Sequence, residues 1–200
     1  MPFPVVPVLL GAAAAALLVV ASRRGSSSAP PGVETSPQRA ALLLAALDQV
    51  GTLYQWGGGR SAGDYGVDCS GLIILASKRA GLPLPPCPLA TSDGWWRCLP
   101  RVSSPLPGDF AIYGKPDRAV HVELVLAYDP ATGVAETLGA NGGDRDVLTP
   151  EIAQERGAFV RHASTAGRSN FLGFVRNPLD DAGQAEGVSP NLTQLQVDEA

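Results

Sequence analysis

Apolar and polar positions change pattern several times along the chain, and each change marks an element. Val5 to Ala21 is almost wholly apolar, and no charged side chain occurs from Met1 to Ser22. That length sits at the low end for a bilayer span of about 20 residues. A secretory signal carries basic residues before its apolar run. Here Arg23 and Arg24 come after it, so residues 1–22 read as an N-terminal anchor in preference to a cleaved signal segment. By the positive-inside rule the two arginines favour a cytoplasmic side for the rest of the chain. Residues 23–36 are rich in Ser, Pro and Gly and read as a flexible linker.

The folded domain is expected over residues 37–178. Ser36 and Pro37 form a helix start, with Ser at the cap and Pro in the first turn. Ala40 to Val50 is rich in Leu and Ala, and Gly51 closes it. A Gly-rich loop runs from Thr52 to Asp68. Cys69 to Ala80 reads as a second helix stopped by Gly81, and Leu82 to Pro107 as a Pro-rich loop containing Trp95 and Trp96. The later chain is β-like: Asp109 to Tyr113, Val120 to Tyr128, Val134 to Asn141, Ala158 to His162 and Asn170 to Arg176. Thr149 to Arg156 interrupts these with a short helix. The acidic, polar stretch 179–200 has little to bury and reads as a disordered tail. Helices first and an antiparallel sheet afterwards make an α+β domain.

Composition narrows the function. The net charge of -4 and the absence of a Lys/Arg stripe give no footprint for nucleic acid. Gly57-Gly58-Gly59 lacks the Lys and Ser/Thr of a phosphate loop. The three cysteines, 69, 87 and 98, contain no C-x-x-C pair, so no structural zinc site and no other metal is expected. Cys87 and Cys98 share the Pro-rich loop and could pair in an oxidising compartment, leaving Cys69 as the single free thiol.

Cys69 stands in Val67-Asp68-Cys69-Ser70-Gly71, just ahead of the apolar run Leu72 to Ala76. It falls in the first turn of a helix, where unpaired N–H groups and the helix dipole favour negative charge on sulfur. The Cys69 and Ser70 N–H groups can also face a developing oxyanion. Ser70 is the weaker candidate nucleophile, and Asp68 reads as the helix cap. A thiol nucleophile needs a base close by in space. Of the two histidines, His121 leads the strongest β run, and His162 lies at a strand end before a loop. If Tyr128 pairs with Val134 across the Asp129–Gly133 turn, Asn141 falls opposite His121, with Cβ atoms about 5 Å apart. Asn141 then orients the imidazole; Glu136 is the alternative, and a one-residue slip would move either to the wrong face.

Four segments occur in order: Tyr54-Gln55-Trp56-Gly57-Gly58, Asp68-Cys69-Ser70-Gly71-Leu72, Leu106-Pro107-Gly108-Asp109-Phe110 and His121-Val122-Glu123-Leu124-Val125. Together they resemble the NlpC/P60 cysteine peptidases over roughly Ala40 to Pro178. The resemblance implies a papain-like α+β fold and hydrolysis of bacterial cell-wall peptides at a γ-D-glutamyl bond to a diamino acid. Cys69 and His121 match the family's nucleophile and base, and Tyr54 matches its site tyrosine. Trp56 and Ser70 are expected to contact substrate beside it, and no cofactor is called for. Two departures stand out. The stretch from Tyr54 to Cys69 is longer than usual, and Gly139-Ala140 stands where many members carry a third histidine.

Two other readings use the same residues. One keeps the Cys–His pair but transfers acyl groups or deamidates another substrate. The other is a non-catalytic wall-binding domain on a membrane anchor. A membrane-anchored or secreted place at the cell envelope is expected, and a phage origin, release at lysis or a mis-called start codon would each reconcile a wall substrate with the two arginines.

Overall fold

The computed structural model describes residues 35–179. The expected anchor, most of the linker and all of the tail but Leu179 lie outside the described residues, and Leu179 is buried against the core. Among the described residues no helix is long and apolar enough to cross a membrane.

Helix α1 (Pro37–Leu47) starts as expected. The Ser36 side chain accepts from the Arg39 N–H, and Pro37 occupies the first turn. The helix stops three residues short of Val50, with Asp48 as its C-cap, and Gly51 ends the next turn at φ +86°. Helix α2 (Cys69–Ala80) runs between Asp68, whose carboxylate caps it, and Gly81, which adopts the left-handed conformation at φ 67°.

A third helix, α3 (Ser92–Cys98), occupies the middle of the expected Pro-rich loop. It starts at Thr91, whose side chain accepts from the Gly94 N–H, with Asp93 in its first turn. Trp95 is fully buried, its ring 4.9 Å from that of Phe110. Trp96 lies under the Arg101 guanidinium, 3.4 Å from its ring centre. Both tryptophans therefore anchor the loop to the body of the domain. Helix α4 (Pro150–Glu155) is capped by Thr149 as its Thr-Pro start predicts.

Among the described residues the strands are β1 (Arg101–Val102), β2 (Phe110–Lys115), β3 (Arg118–Asp129), β4 (Val134–Asn141), β5 (Phe159–Ser164) and β6 (Phe171–Val175). They form one antiparallel sheet in the order β1-β6-β2-β3-β4-β5. The main core joins Leu42, Leu72, Ile73 and Trp95 from the helices to Ile112, Val122, Leu124 and Leu138 from the sheet. A smaller cluster of Ala111, Tyr113, Val125, Ala135 and Phe174 uses the alternate strand positions. The architecture is α+β, as the order of elements predicts.

The β3–β4 hairpin corrects the expected register at its tip. Tyr128 pairs with Ala135, and Asp129 with Val134. An irregularity between Val125 and Ala127 absorbs the difference, so Leu124 pairs with Leu138 and Val125 with Thr137. The offset assumed for the sequence-based pairing is back in place before the strand reaches His121.

Candidate active site

The site is built where the start of α2 meets β3. Asp68 fixes the helix start with both carboxylate oxygens. Oδ1 accepts from the Gly71 N–H at 2.6 Å and the Ser70 hydroxyl at 3.0 Å. Oδ2 accepts from the Gly57 N–H at 3.0 Å and from Arg60 at 2.9 Å. Arg60 also donates to the Gly58 carbonyl at 2.9 Å and the Ser70 hydroxyl at 2.8 Å. The Gly-rich loop is thus tied to the turn that carries Cys69. No local pattern in the sequence singles out Arg60 for this part.

Cys69 is buried and free, because Cys87 and Cys98 are joined in a disulfide. His121 on β3 is near enough that Cys69 favours the charged form of its imidazole. Both line a cleft of about 670 Å³ together with Tyr54, Trp56 and Asn141. The Tyr54 ring forms the wall beside the thiol. It lies so close over Gly143 that a Cβ there would come within 2.2 Å of Cδ1. Burial, then the charge of Cys69 and Asp68, push the Tyr54 phenol far above its usual range, so it stays protonated. Trp56 is half-exposed at the rim. Thr91, Ser92 and Asp93, at the start of α3, also line the cleft.

Two sequence-based assignments change. Ser70, expected at the substrate, is 5% exposed and spends its hydroxyl on Asp68 and Arg60, so its side chain belongs to the helix cap. Asn141, expected to hold His121, does line the cleft, but its amide donates to the Gly139 carbonyl at 3.1 Å. The imidazole Nε2 instead meets Glu123 Oε1 at 3.2 Å. Glu136, the alternative, is exposed and pairs with Ala127 at the far end of the hairpin. A signal for Glu123 is present in His121-Val122-Glu123: residues two apart on a strand share a face.

Electrostatics bind these groups together. Burial opposes the imidazolium of His121, but hydrogen bonds and charge from Cys69 and Glu123 outweigh it and raise the pKa to about 9. Burial likewise opposes the Glu123 carboxylate, yet His121, Thr137 and Tyr113 hold it well below the usual carboxylate range. Among the described residues no cluster of three or more His, Cys, Asp or Glu side chains is placed to hold a metal ion.

The family model described as NlpC/P60 family matches residues 51–167. A probable endopeptidase of Mycobacterium tuberculosis is 46% identical over 56 residues, which is 28% of this chain and 14% of that relative. The match therefore spans a small part of the curated relative's length. Among solved structures, the peptidoglycan hydrolase RipB of M. tuberculosis superposes with a TM-score of 0.51 at 23% identity, covering 71% of this chain and 65% of the other. A lipoprotein-like NLP/P60 family protein of Staphylococcus aureus gives a TM-score of 0.51 at 19% identity, covering 76% and 45%. At these identities the two structures speak for the fold.

Proposed function

The chain belongs to the NlpC/P60 family, and from that premise we propose that it is a thiol hydrolase cutting amide bonds in bacterial cell-wall peptides, at a γ-D-glutamyl link to a diamino acid. The observation that carries this reading is the meeting of Cys69, at the first turn of α2, with His121 of β3 in one open cleft walled by Tyr54.

In the proposed reaction His121 takes the Cys69 thiol proton and the sulfur attacks the scissile carbonyl carbon. Backbone N–H groups of the first turn of α2 stabilise the oxyanion. The C–N bond breaks as His121 gives its proton to the leaving amine. Water then attacks the thioester, His121 takes its proton, and the free acid leaves Cys69 restored. Trp56 at the rim offers an apolar face to the rest of the substrate. The apolar stretch 1–22 would hold this domain at the cell envelope.

Cys69→Ala tests the nucleophile against purified muropeptides. Loss of cleavage supports the assignment, and undiminished cleavage sinks it. An acyl-transfer reaction would instead give products carrying an added amine acceptor, and a wall-binding domain would retain muropeptides without cutting them.

A further inference from the structure

Glu123 is completely buried, 0% exposed, which is costly for a carboxylate unless every oxygen is paired. Here all four acceptor positions are used. Oε2 accepts from the Tyr113 hydroxyl at 2.7 Å and the Thr137 hydroxyl at 2.6 Å. Oε1 faces two cationic groups, His121 Nε2 at 3.2 Å and Arg168 Nη1 at 3.4 Å. Arg168 comes from the β5–β6 connection and lies 4.3 Å from the Tyr113 ring centre, roofing the group. The neutral donors fix the carboxylate's orientation, and the cationic ones keep it charged.

The space Glu123 fills belongs to the neighbouring strand. A Cβ built on Gly139 would meet Glu123 Cγ at 2.6 Å and Asn141 Nδ2 at 3.0 Å. Gly139 lies next to Leu138, which pairs with Leu124, the residue after Glu123. A side chain at 139 and the observed Glu123 conformation are mutually exclusive.

We infer that Glu123 is the positioning residue of His121, supplied from the histidine's own strand, and that Gly139 is glycine because Glu123 occupies the space a side chain on β4 would need. Tyr113, Thr137 and Arg168 hold Glu123 in that role. The inference rests on the reading of His121 as the base of Cys69.

The test is independent of substrate. The chain has two histidines, and the ring resonance of His121 is assigned by its loss in His121→Gln. Its titration is followed by NMR in the wild-type chain and in Glu123→Gln, which keeps the shape and removes the charge. The expected result is a midpoint lowered by about 1 pH unit or more, the effect of losing an opposite charge at contact distance. A midpoint unmoved in a folded Glu123→Gln chain overturns the assignment. Should that variant not fold, Gly139→Ala probes the same relationship from β4. Its Cβ must displace Glu123 and lower the midpoint, whereas an unmoved midpoint overturns the assignment. A chain with another substrate would show the same titrations, so failure of the proposed function and failure of this inference are distinguishable.

Discussion

Arg39 of α1 donates to Asp109, 70 residues away at the entry to β2, at 2.9 Å, and both side chains are closed off from water. The same guanidinium donates to the Pro107 and Asn177 carbonyls at 2.9 and 2.7 Å. Asp109 also accepts from the Leu106 and Asn177 N–H groups and meets Arg176 at 2.8 Å. The Pro-Gly-Asp segment thus joins the first helix, the sheet and the end of the described chain. Breaking such a buried pair by removing its carboxylate costs about 3–5 kcal/mol. Asp109→Ala is expected to lose stability of that order in denaturant unfolding. A loss below about 1 kcal/mol would show the pair to be dispensable.

The His121 imidazole gives a pH dependence with a definite sign. Its pKa rises from 6.5 to about 9 in the folded chain, so between those values the folded chain holds a proton that the unfolded chain releases. The associated stability is fully present below pH 6.5 and is lost as pH rises through about 9. Denaturant midpoints should therefore fall across that window in the wild-type chain and fall less in His121→Gln. The imidazolium needed to protonate the leaving amine disappears over the same range. The alkaline limb of kcat/KM is accordingly expected near pH 9; a limb at the unperturbed 6.5 would contradict the contacts described.

The Cys87–Cys98 disulfide ties the Pro-rich loop to the last residue of α3. Asp93 within that loop accepts from the Ala119 N–H at 3.0 Å, two residues before His121. Closing a loop of this length stabilises a fold by about 2–4 kcal/mol. The Cys87→Ser/Cys98→Ser chain should lose stability of that order relative to the oxidised wild type. Adding a reductant should bring the wild type to the same unfolding midpoint. Equal stability of the oxidised wild type and the double variant would show that the bridge constrains nothing.

The parts of this molecule that local chemistry decides are legible in its sequence. Ser36-Pro37, Asp68 and Gly81 bound their helices through caps, and Thr149-Pro150 starts α4 in the same way. Cys69, His121 and Tyr54 are each identifiable, and they converge on one cleft. Helix α3 is hidden because its seven residues hold Gly94 and two tryptophans, and packing against Phe110 overrides their weak helix preference. The third residue at the site is obscured for a different reason. Strand pairing points to Asn141, but pairing fixes which residues are opposite, not which side chain is long enough to reach the ring. Glu123 reaches it because Gly139 leaves the space open. Ser70 meets a similar limit: its closeness to Cys69 in sequence says nothing of Arg60, which draws the hydroxyl into the cap.

The central claim is that Cys69 hydrolyses a peptide bond of the bacterial cell wall, and mass spectrometry of digested peptidoglycan tests it most directly. Purified peptidoglycan is incubated with the wild-type chain and with Cys69→Ala, and the soluble products are weighed. The wild type is expected to release stem-peptide fragments that have gained one water at the bond between D-glutamate and the diamino acid, and Cys69→Ala to release none. Fragments of the same mass from Cys69→Ala, or no release by a wild-type chain whose Cys69 thiol is intact, would contradict it.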